Sequence, residues 1–177
     1  ANRRLQVEIN GGKKDWLWLF SSPPLTIPGG TTSWDTYGPR TVSSVSTGAN
    51  TLTVPSGHGL VANERVRFYT TGTYPTAVGG DLTEADFYYV RSPGATTIEL
   101  SRTSGGAAID ITSTGSGTMQ VYRTTAPSAP LYFPAGSWRI GRLFDMQSGY
   151  PVYLDGSAHV YGTFDVRDCT AGSHIIG

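Results

Sequence analysis

Apolar and polar positions alternate with a period of two over many short stretches of this chain, which is the pattern of half-buried β-strands. Residues 4–10 alternate in this way and end at Asn10-Gly11-Gly12, a turn of hairpin type. The run Asp15-Trp16-Leu17-Trp18-Leu19-Phe20 is the natural return strand, with Trp16, Trp18 and Phe20 on one side and Leu17 and Leu19 on the other. Residues 21–39 hold Pro23-Pro24, Pro28-Gly29-Gly30 and Gly38-Pro39, so they are expected to run as an extended, turn-rich surface segment without regular ladders.

From Thr41 the spacing changes. Strand signals appear at 51–54, 65–69, 87–90, 97–100, 108–111 and 119–122, separated by Pro55-Ser56-Gly57, Gly79-Gly80, Pro93-Gly94, Gly105-Gly106 and Gly115-Ser116-Gly117. Six short strands punctuated this way predict a small antiparallel barrel or sandwich. In Phe87-Tyr88-Tyr89-Val90 the alternation sends one tyrosine inward and the other outward.

The last third has a different rhythm. Val152-Tyr153-Leu154, the run 159–166 and His174-Ile175-Ile176-Gly177 are β-rich and are separated only by small polar residues such as Asp155-Gly156-Ser157. Strands this close, with no helical pattern between them, cannot easily form crossovers through helices, so stacked rungs are the economical parallel arrangement. Pro134-Ala135-Gly136-Ser137-Trp138-Arg139-Ile140-Gly141, then residues 152–164, then Ile175-Ile176-Gly177 resemble the opening coils of right-handed β-helix polysaccharide-acting proteins. The likeness is greatest to polygalacturonase-like and dextranase-like glycosidases, and residues 7–24 also resemble the strands that precede the β-helix in dextranase-like enzymes. The resemblance implies that residues 1–40 and 126–177 form one unit, and that further rungs follow Gly177. In that family the carboxylates that carry hydrolysis lie on later rungs.

Residues 57–119 are similar to a small β-domain that recurs in phage tail, spike and other virion proteins, through Gly57-His58-Gly59-Leu60, Phe87-Tyr88-Tyr89-Val90, Gly105-Gly106-Ala107-Ala108-Ile109 and Gly115-Ser116-Gly117. Asn63-Glu64 replaces the usual Gly-Asp turn there, and residues 76–81 lengthen one connection. Together these features predict an all-β chain in which a small antiparallel module is inserted before the first rungs of a parallel β-helix. Its parts are 1–40, an N-terminal hairpin and extended segment; 41–123, the inserted module; and 124–177, a return linker and the start of the helix. Insertion at an exposed Pro- and Gly-rich loop is well tolerated.

Composition agrees with a β-rich fold: 23 Gly, 11 Pro and 10 Tyr in 177 residues. Net charge is zero with only 15% charged residues, so no electrostatic footprint for nucleic acid or an anionic membrane is present. No run approaches the ~18 apolar residues that cross a bilayer, and no charged segment leads into an apolar one as in a signal peptide. The single Cys169 excludes an internal disulfide and is expected inside a rung.

Candidate chemistry is sparse. Glycoside cleavage needs paired carboxylates; Asp145, Asp155, Asp165 and Asp168 are the nearest candidates, and turn or surface roles suit each better, so no catalytic residue is assigned. His58, His159 and His174 form no metal-ligand spacing, and neither metal nor cofactor is expected. Aromatic rings remain, because sugar C–H groups pack on flat rings while hydroxyls meet nearby polar groups. Trp34, Tyr37, Tyr69, Tyr74, Tyr88 and Tyr89 are the candidate carbohydrate-binding residues, against the alternative that they are core or loop anchors. The reading is a non-catalytic carbohydrate-recognition or attachment region of a polysaccharide-degrading β-helix protein, at the virion or outside the cell, whose parent would be a glycoside hydrolase or lyase. Its partner would be a polysaccharide or cell-surface glycan. One alternative is a virion structural protein, a tailspike base or adhesin, that contacts other virion proteins and forms a homotrimer. Another is a glycosidase fragment whose active site lies beyond residue 177.

Overall fold

A computed structural model of the chain describes residues 4–8, 16–20, 26–167, 169 and 173–177. The described residues are all-β apart from one short helix. The first ladder joins β1 (Arg4–Glu8) to β2 (Trp16–Phe20), antiparallel, with Arg4 opposite Phe20 and Glu8 opposite Trp16. The expected turn at Asn10-Gly11-Gly12, the Pro23-Pro24 stretch and Asp168 lie outside the described residues.

Residues 21–39 were expected to lack ladders, yet they contain β3 (Thr32–Ser33) and the helix α1 (Trp34–Tyr37). Two residues of strand and one turn of helix are too short to show a period, and tertiary contacts create both. β3 pairs in parallel with a strand a hundred residues later, and the helix buries Trp34. Gly38 follows for steric reasons, since a Cβ there would sit 2.6 Å from the Trp34 indole nitrogen.

Next come β4 (Arg40–Val42), β5 (Ser44–Ser46), β6 (Thr51–Thr53), β7 (Arg65–Thr70), β8 (Tyr88–Arg91), β9 (Thr97–Ser101) and β10 (Met119–Arg123). They form one sheet in the order β4-β10-β7-β8-β9-β6-β5, and every pair is antiparallel. Only Ser43 separates β4 from β5, although they occupy opposite ends of that order. The extended segment 40–46 therefore pairs with β10 through one half and with β6 through the other, which closes the sheet into a small barrel and removes its free edges. Period-two alternation fills the interior. On β7, Val66 and Phe68 point in while Arg65, Arg67 and Tyr69 point out, and on β10 Val121 points in while Tyr122 points out.

Ala108-Ile109-Asp110-Ile111 does not become a strand. It makes one bridge, Ala77 to Ile111, and a bond from the Ile109 amide to the Leu100 carbonyl, yet both isoleucines are buried in the barrel core. Asn63, which stands where the resembling module has glycine, takes φ +64, a left-handed conformation that Asn tolerates better than most residues.

The remaining strands are parallel. β11 (Leu131–Phe133), β13 (Val152–Leu154) and β15 (Ile175–Ile176) stack with β3 in the order β15-β13-β11-β3, while β12 (Gly136–Asp145) pairs with β14 (Ala158–Asp165). Partners lie twenty to twenty-three residues apart in sequence, one coil per step. Between these ladders Trp34, Phe133, Phe144 and Phe164 stack through the coils. The Trp34 and Phe133 rings lie 4.7 Å apart and stacked, and Phe164 meets Phe133 and Phe144 edge-on at 6.1 Å. Cys169 packs against this core, as expected for a rung interior.

The two buried clusters share no residue. One draws on residues 42–121, the other on Trp34 and on residues between 126 and 169. The segment read as a return linker is itself tied down at its start. Thr124 is buried, the Asp145 amide donates to its carbonyl, and Ala126 donates back to the Asp145 carbonyl.

The barrel meets the coils over a glycine. Gly141 has φ +80, and a Cβ at that position would overlap the Tyr122 ring; its neighbour in the next coil, Gly162, has φ +140, where a Cβ would overlap the Gly141 carbonyl oxygen. Gly141→Ala should therefore destabilise the protein by about 3 kcal/mol, combining left-handed strain with displacement of a packed ring. Gly149→Ala, at φ +83 with nothing within 4 Å, should cost only about 1 kcal/mol. Urea unfolding of both variants checks this, and equal losses would mean that Tyr122 does not seat on Gly141.

Candidate binding cleft at the barrel–coil junction

The outward row of β7 faces β12 in antiparallel sense. Arg65 forms an ion pair with Asp145, and Tyr69 lies beneath Arg139, whose guanidinium carbon is 4.2 Å from the ring centroid. Arg67, between them, is only 5% exposed and donates to the backbone carbonyls of Glu84 and Ala85. Glu84 is the hub of this contact. It accepts from the Tyr122 hydroxyl at 2.6 Å and from Arg139 at 2.7 and 2.8 Å through its two oxygens. Burial, and then the Glu84 carboxylate beside it, push the Tyr122 hydroxyl far up, so it stays a donor.

A second knot lies nearby. Arg123 pairs with Glu64, donates to the Tyr37 carbonyl at 2.6 Å and lies over the Tyr37 ring at 4.5 Å. The Tyr37 hydroxyl donates to the Thr125 carbonyl at 2.7 Å, and burial pushes it up to about 12.

Where barrel and coil diverge, a cleft of about 280 Å³ opens between Arg65 and Phe87 on one side and Leu143, Asp145, Asp165 and Arg167 on the other. That volume lies at the small end of ligand pockets. Phe87 carries two cations, Arg65 at 4.5 Å and Arg67 at 3.9 Å from its ring centroid. Asp145 and Asp165 are register partners on adjacent coils, and each is held by an arginine: Asp145 by Arg65, Asp165 by Arg167 through its side chain and its backbone amide. The Arg167 hydrogen bonds hold the Asp165 carboxyl down at about 2, so it is ionised at neutral pH and has no proton to donate. Each of these carboxylates is paired with an arginine and can accept hydrogen bonds from hydroxyls.

The six aromatic residues singled out from the sequence are not gathered into one site. Trp34, 1% exposed, is the plug of the coil stack, and Tyr88, fully buried, lies in the barrel core with its hydroxyl between the Thr83 amide and the Asp81 carbonyl. Neither presents a ring face to a ligand, because each is the large side chain that fills its core. Tyr37 and Tyr69 are half-buried under Arg123 and Arg139, and Tyr74 packs against the barrel core beside Phe68. Tyr89 is half-buried on the outer side of β8, opposite Arg65. Phe87, read from the sequence as the first residue of a strand and not as a candidate site residue, lies just before β8. Tyr161, 60% exposed, could have been found, since it follows the outward His159 by two positions on β14.

A second hollow of about 340 Å³ lies beside the Gly57-His58-Gly59-Leu60 turn. His58 uses both ring nitrogens internally: Nδ1 accepts from the Leu60 amide at 3.0 Å and Nε2 donates to the Gly94 carbonyl at 2.9 Å. It is a turn-fixing residue with no nitrogen left for a ligand.

No family model matches the chain, and neither does any curated protein. Among solved structures the chain is similar to the tailspike protein gp49 from Pseudomonas phage LKA1, at 15% identity and a TM-score of 0.32. The match covers 67% of this chain and 22% of that one, so this chain spans about a fifth of the tailspike's length.

The position of Asp165 makes a pH prediction. Its carboxyl is depressed from the ordinary 3.8 to about 2, so its contribution to stability is complete above the ordinary value and is lost as pH falls through the lower one. Arg167→Gln should be less stable than the parent above about pH 4, with the difference vanishing towards about pH 2. Urea midpoints measured across that range check it; a gap that stays constant down to the lower limit would show that the pair does not control this carboxyl.

Proposed function

We propose that this chain is a non-catalytic carbohydrate-recognition and attachment region of a polysaccharide-degrading β-helix protein acting at the virion or outside the cell, with the 41–123 module carried as an insertion in the coil-forming unit. The observation that supports this most is the junction cleft. Its donors and acceptors are arginine and aspartate side chains set beside an aromatic face, the combination that suits a ring bearing hydroxyls on its edge and C–H groups on its face. Tyr161, on the outer side of β14 together with His159, adds an exposed ring on the neighbouring coil surface.

A second reading, a virion structural component acting through protein contacts and assembling as a trimer, draws on a different surface. Tyr161, Val166 and Ile175 are 60, 54 and 46% exposed on the last coils. Each offers a large exposed apolar side chain at which a protein partner could pack.

Both readings can be checked with one preparation. On a glycan array and by affinity electrophoresis in polysaccharide gels, the chain should bind at least one polysaccharide, and Phe87→Ala should weaken that binding about tenfold or more, the size expected for losing a stacking face. No retention on any polysaccharide would be fatal to the carbohydrate reading. A concentration-independent trimer in sedimentation, lost in Tyr161→Ser, would favour the second.

A further inference from the structure

Closure removes the free edges of the barrel, whereas the first hairpin keeps two. β1 and β2 form a sheet of their own, and among the described residues no third strand is paired with either one. A lone two-stranded ladder is marginal in water, and three or more strands sharing an apolar face are what make such a sheet stable. The register sets Leu5 opposite Leu19 and Val7 opposite Leu17, so these four aliphatic positions fall on one face. The hairpin thus has an apolar face, and each outer edge offers unpaired backbone donors and acceptors to a further strand.

Charge distinguishes the two edges. β2, Trp16-Leu17-Trp18-Leu19-Phe20, has no charged position, so nothing in it selects the direction of a partner. β1 reads Arg4-Leu5-Gln6-Val7-Glu8, which is complementary to itself when reversed. Antiparallel about Gln6, it sets Arg4 opposite Glu8 of a second copy, Leu5 opposite Val7, and Gln6 opposite its own equivalent. Opposite charges that face each other across a ladder are favourable, while like charges are unfavourable. Parallel pairing in register would set Arg4 against Arg4 and Glu8 against Glu8. An antiparallel slip of one residue would set apolar positions against polar ones and lose the shared face. We infer that β1 is a self-association edge, at which two copies of this chain pair β1 to β1, antiparallel about Gln6. The result is a four-stranded sheet in the order β2-β1-β1-β2, with the aliphatic positions of both copies on one face. Such a contact is isologous, since each copy gives the same strand and receives the same strand. The occupant is a second copy because the sequence that complements this edge is the edge itself. The inference does not depend on the carbohydrate reading.

The test is sedimentation equilibrium of the whole chain across a range of concentrations, where the parent should show a monomer–dimer equilibrium. Arg4→Glu alone sets carboxylate against carboxylate at both ends of the contact, and Glu8→Arg alone sets cation against cation. Each should weaken the dimer about tenfold or more. Mixed in equal amounts, the two single variants should form a heterodimer close to the parent's affinity, because each then supplies the charge that the other lacks. The double variant, Arg4→Glu with Glu8→Arg, should recover self-association for the same reason. Circular dichroism establishes that the variants are folded, and the rescue in the mixture and in the double variant separates a lost contact from a lost fold. A parent that stays monomeric at every concentration would overturn the inference. So would a dimer or trimer indifferent to both single changes, since the copies would then meet elsewhere, at the β2 edge or on the last coils. Failure of the mixture to associate would sink the antiparallel pairing about Gln6.

Discussion

The arrangement depends on one close approach, Tyr122 of the barrel lying where Gly141 of the coil has no side chain. An L-residue at that position would place its Cβ in the tyrosine ring and would resist the left-handed backbone as well. Gly162, directly opposite on the next coil, performs the same service one layer down, since its own missing Cβ lets the bulged β12 strand approach. Glycine in paired strands ordinarily weakens them, and its use here marks a site where another backbone or ring must come near. With the ring seated, its hydroxyl reaches Glu84, and Glu84 in turn reaches Arg139 on β12, so one carboxylate ties barrel loop, barrel strand and coil together.

What surrounds that seat is polar, while each of the bodies it joins has an apolar core of its own. The barrel is filled from residues 42–121 and the coils by a stack of aromatics that begins with Trp34. Hydrophobic contact across the junction would be tolerant of sliding, since area rather than angle sets its strength. Arginine forks, carboxylates and rings placed over guanidiniums are directional, so they penalise a shifted register. Tyr37 contributes from the chain entering the barrel, and Thr124 from the chain leaving it; both are held at the same junction. The cost is the burial of several charges. Arg67 keeps a buried Nε with no hydrogen-bond partner among the described residues.

Much of this could be read from the chain, and the failures have physical causes. The alternation in 65–69 and 119–122 marks strands and their faces because one side of each is packed against a core. The short spacing of 152–154, 159–166 and 174–177, with only small polar residues between them, marks strands that stack in parallel, and β13, β14 and β15 lie in parallel ladders. The segment 40–46 was passed over because its serines and threonines carry too few apolar positions to show a period. Its strand character comes from closing the barrel between β10 and β6. The stretch 108–111 misled in the opposite direction. Its isoleucines alternate because both must reach the core from a loop, and burial alone does not make a ladder. The aromatic candidates failed on a related point. Ring type says that a side chain is large and flat, while exposure depends on partners far along the chain, such as Phe133 for Trp34 and Arg139 for Tyr69. The cleft itself was illegible, because Arg65 and Phe87 come from the barrel and Asp145, Asp165 and Arg167 from the coils.

That divided origin has a consequence for how the cleft can work. Each of its walls belongs to a different core, so the distance across it is set by the junction and by nothing inside either body. A ligand that bridges Arg65 or Phe87 to Asp165 or Arg167 therefore gains affinity only if the Tyr122 seat holds both walls in register beforehand; otherwise part of its binding energy is spent on fixing them. The polar knot around Glu84 is then more than a fastening. By ordering the walls during folding, it removes an entropy cost that a small cleft of this volume, with few contacts to offer, could not otherwise offset.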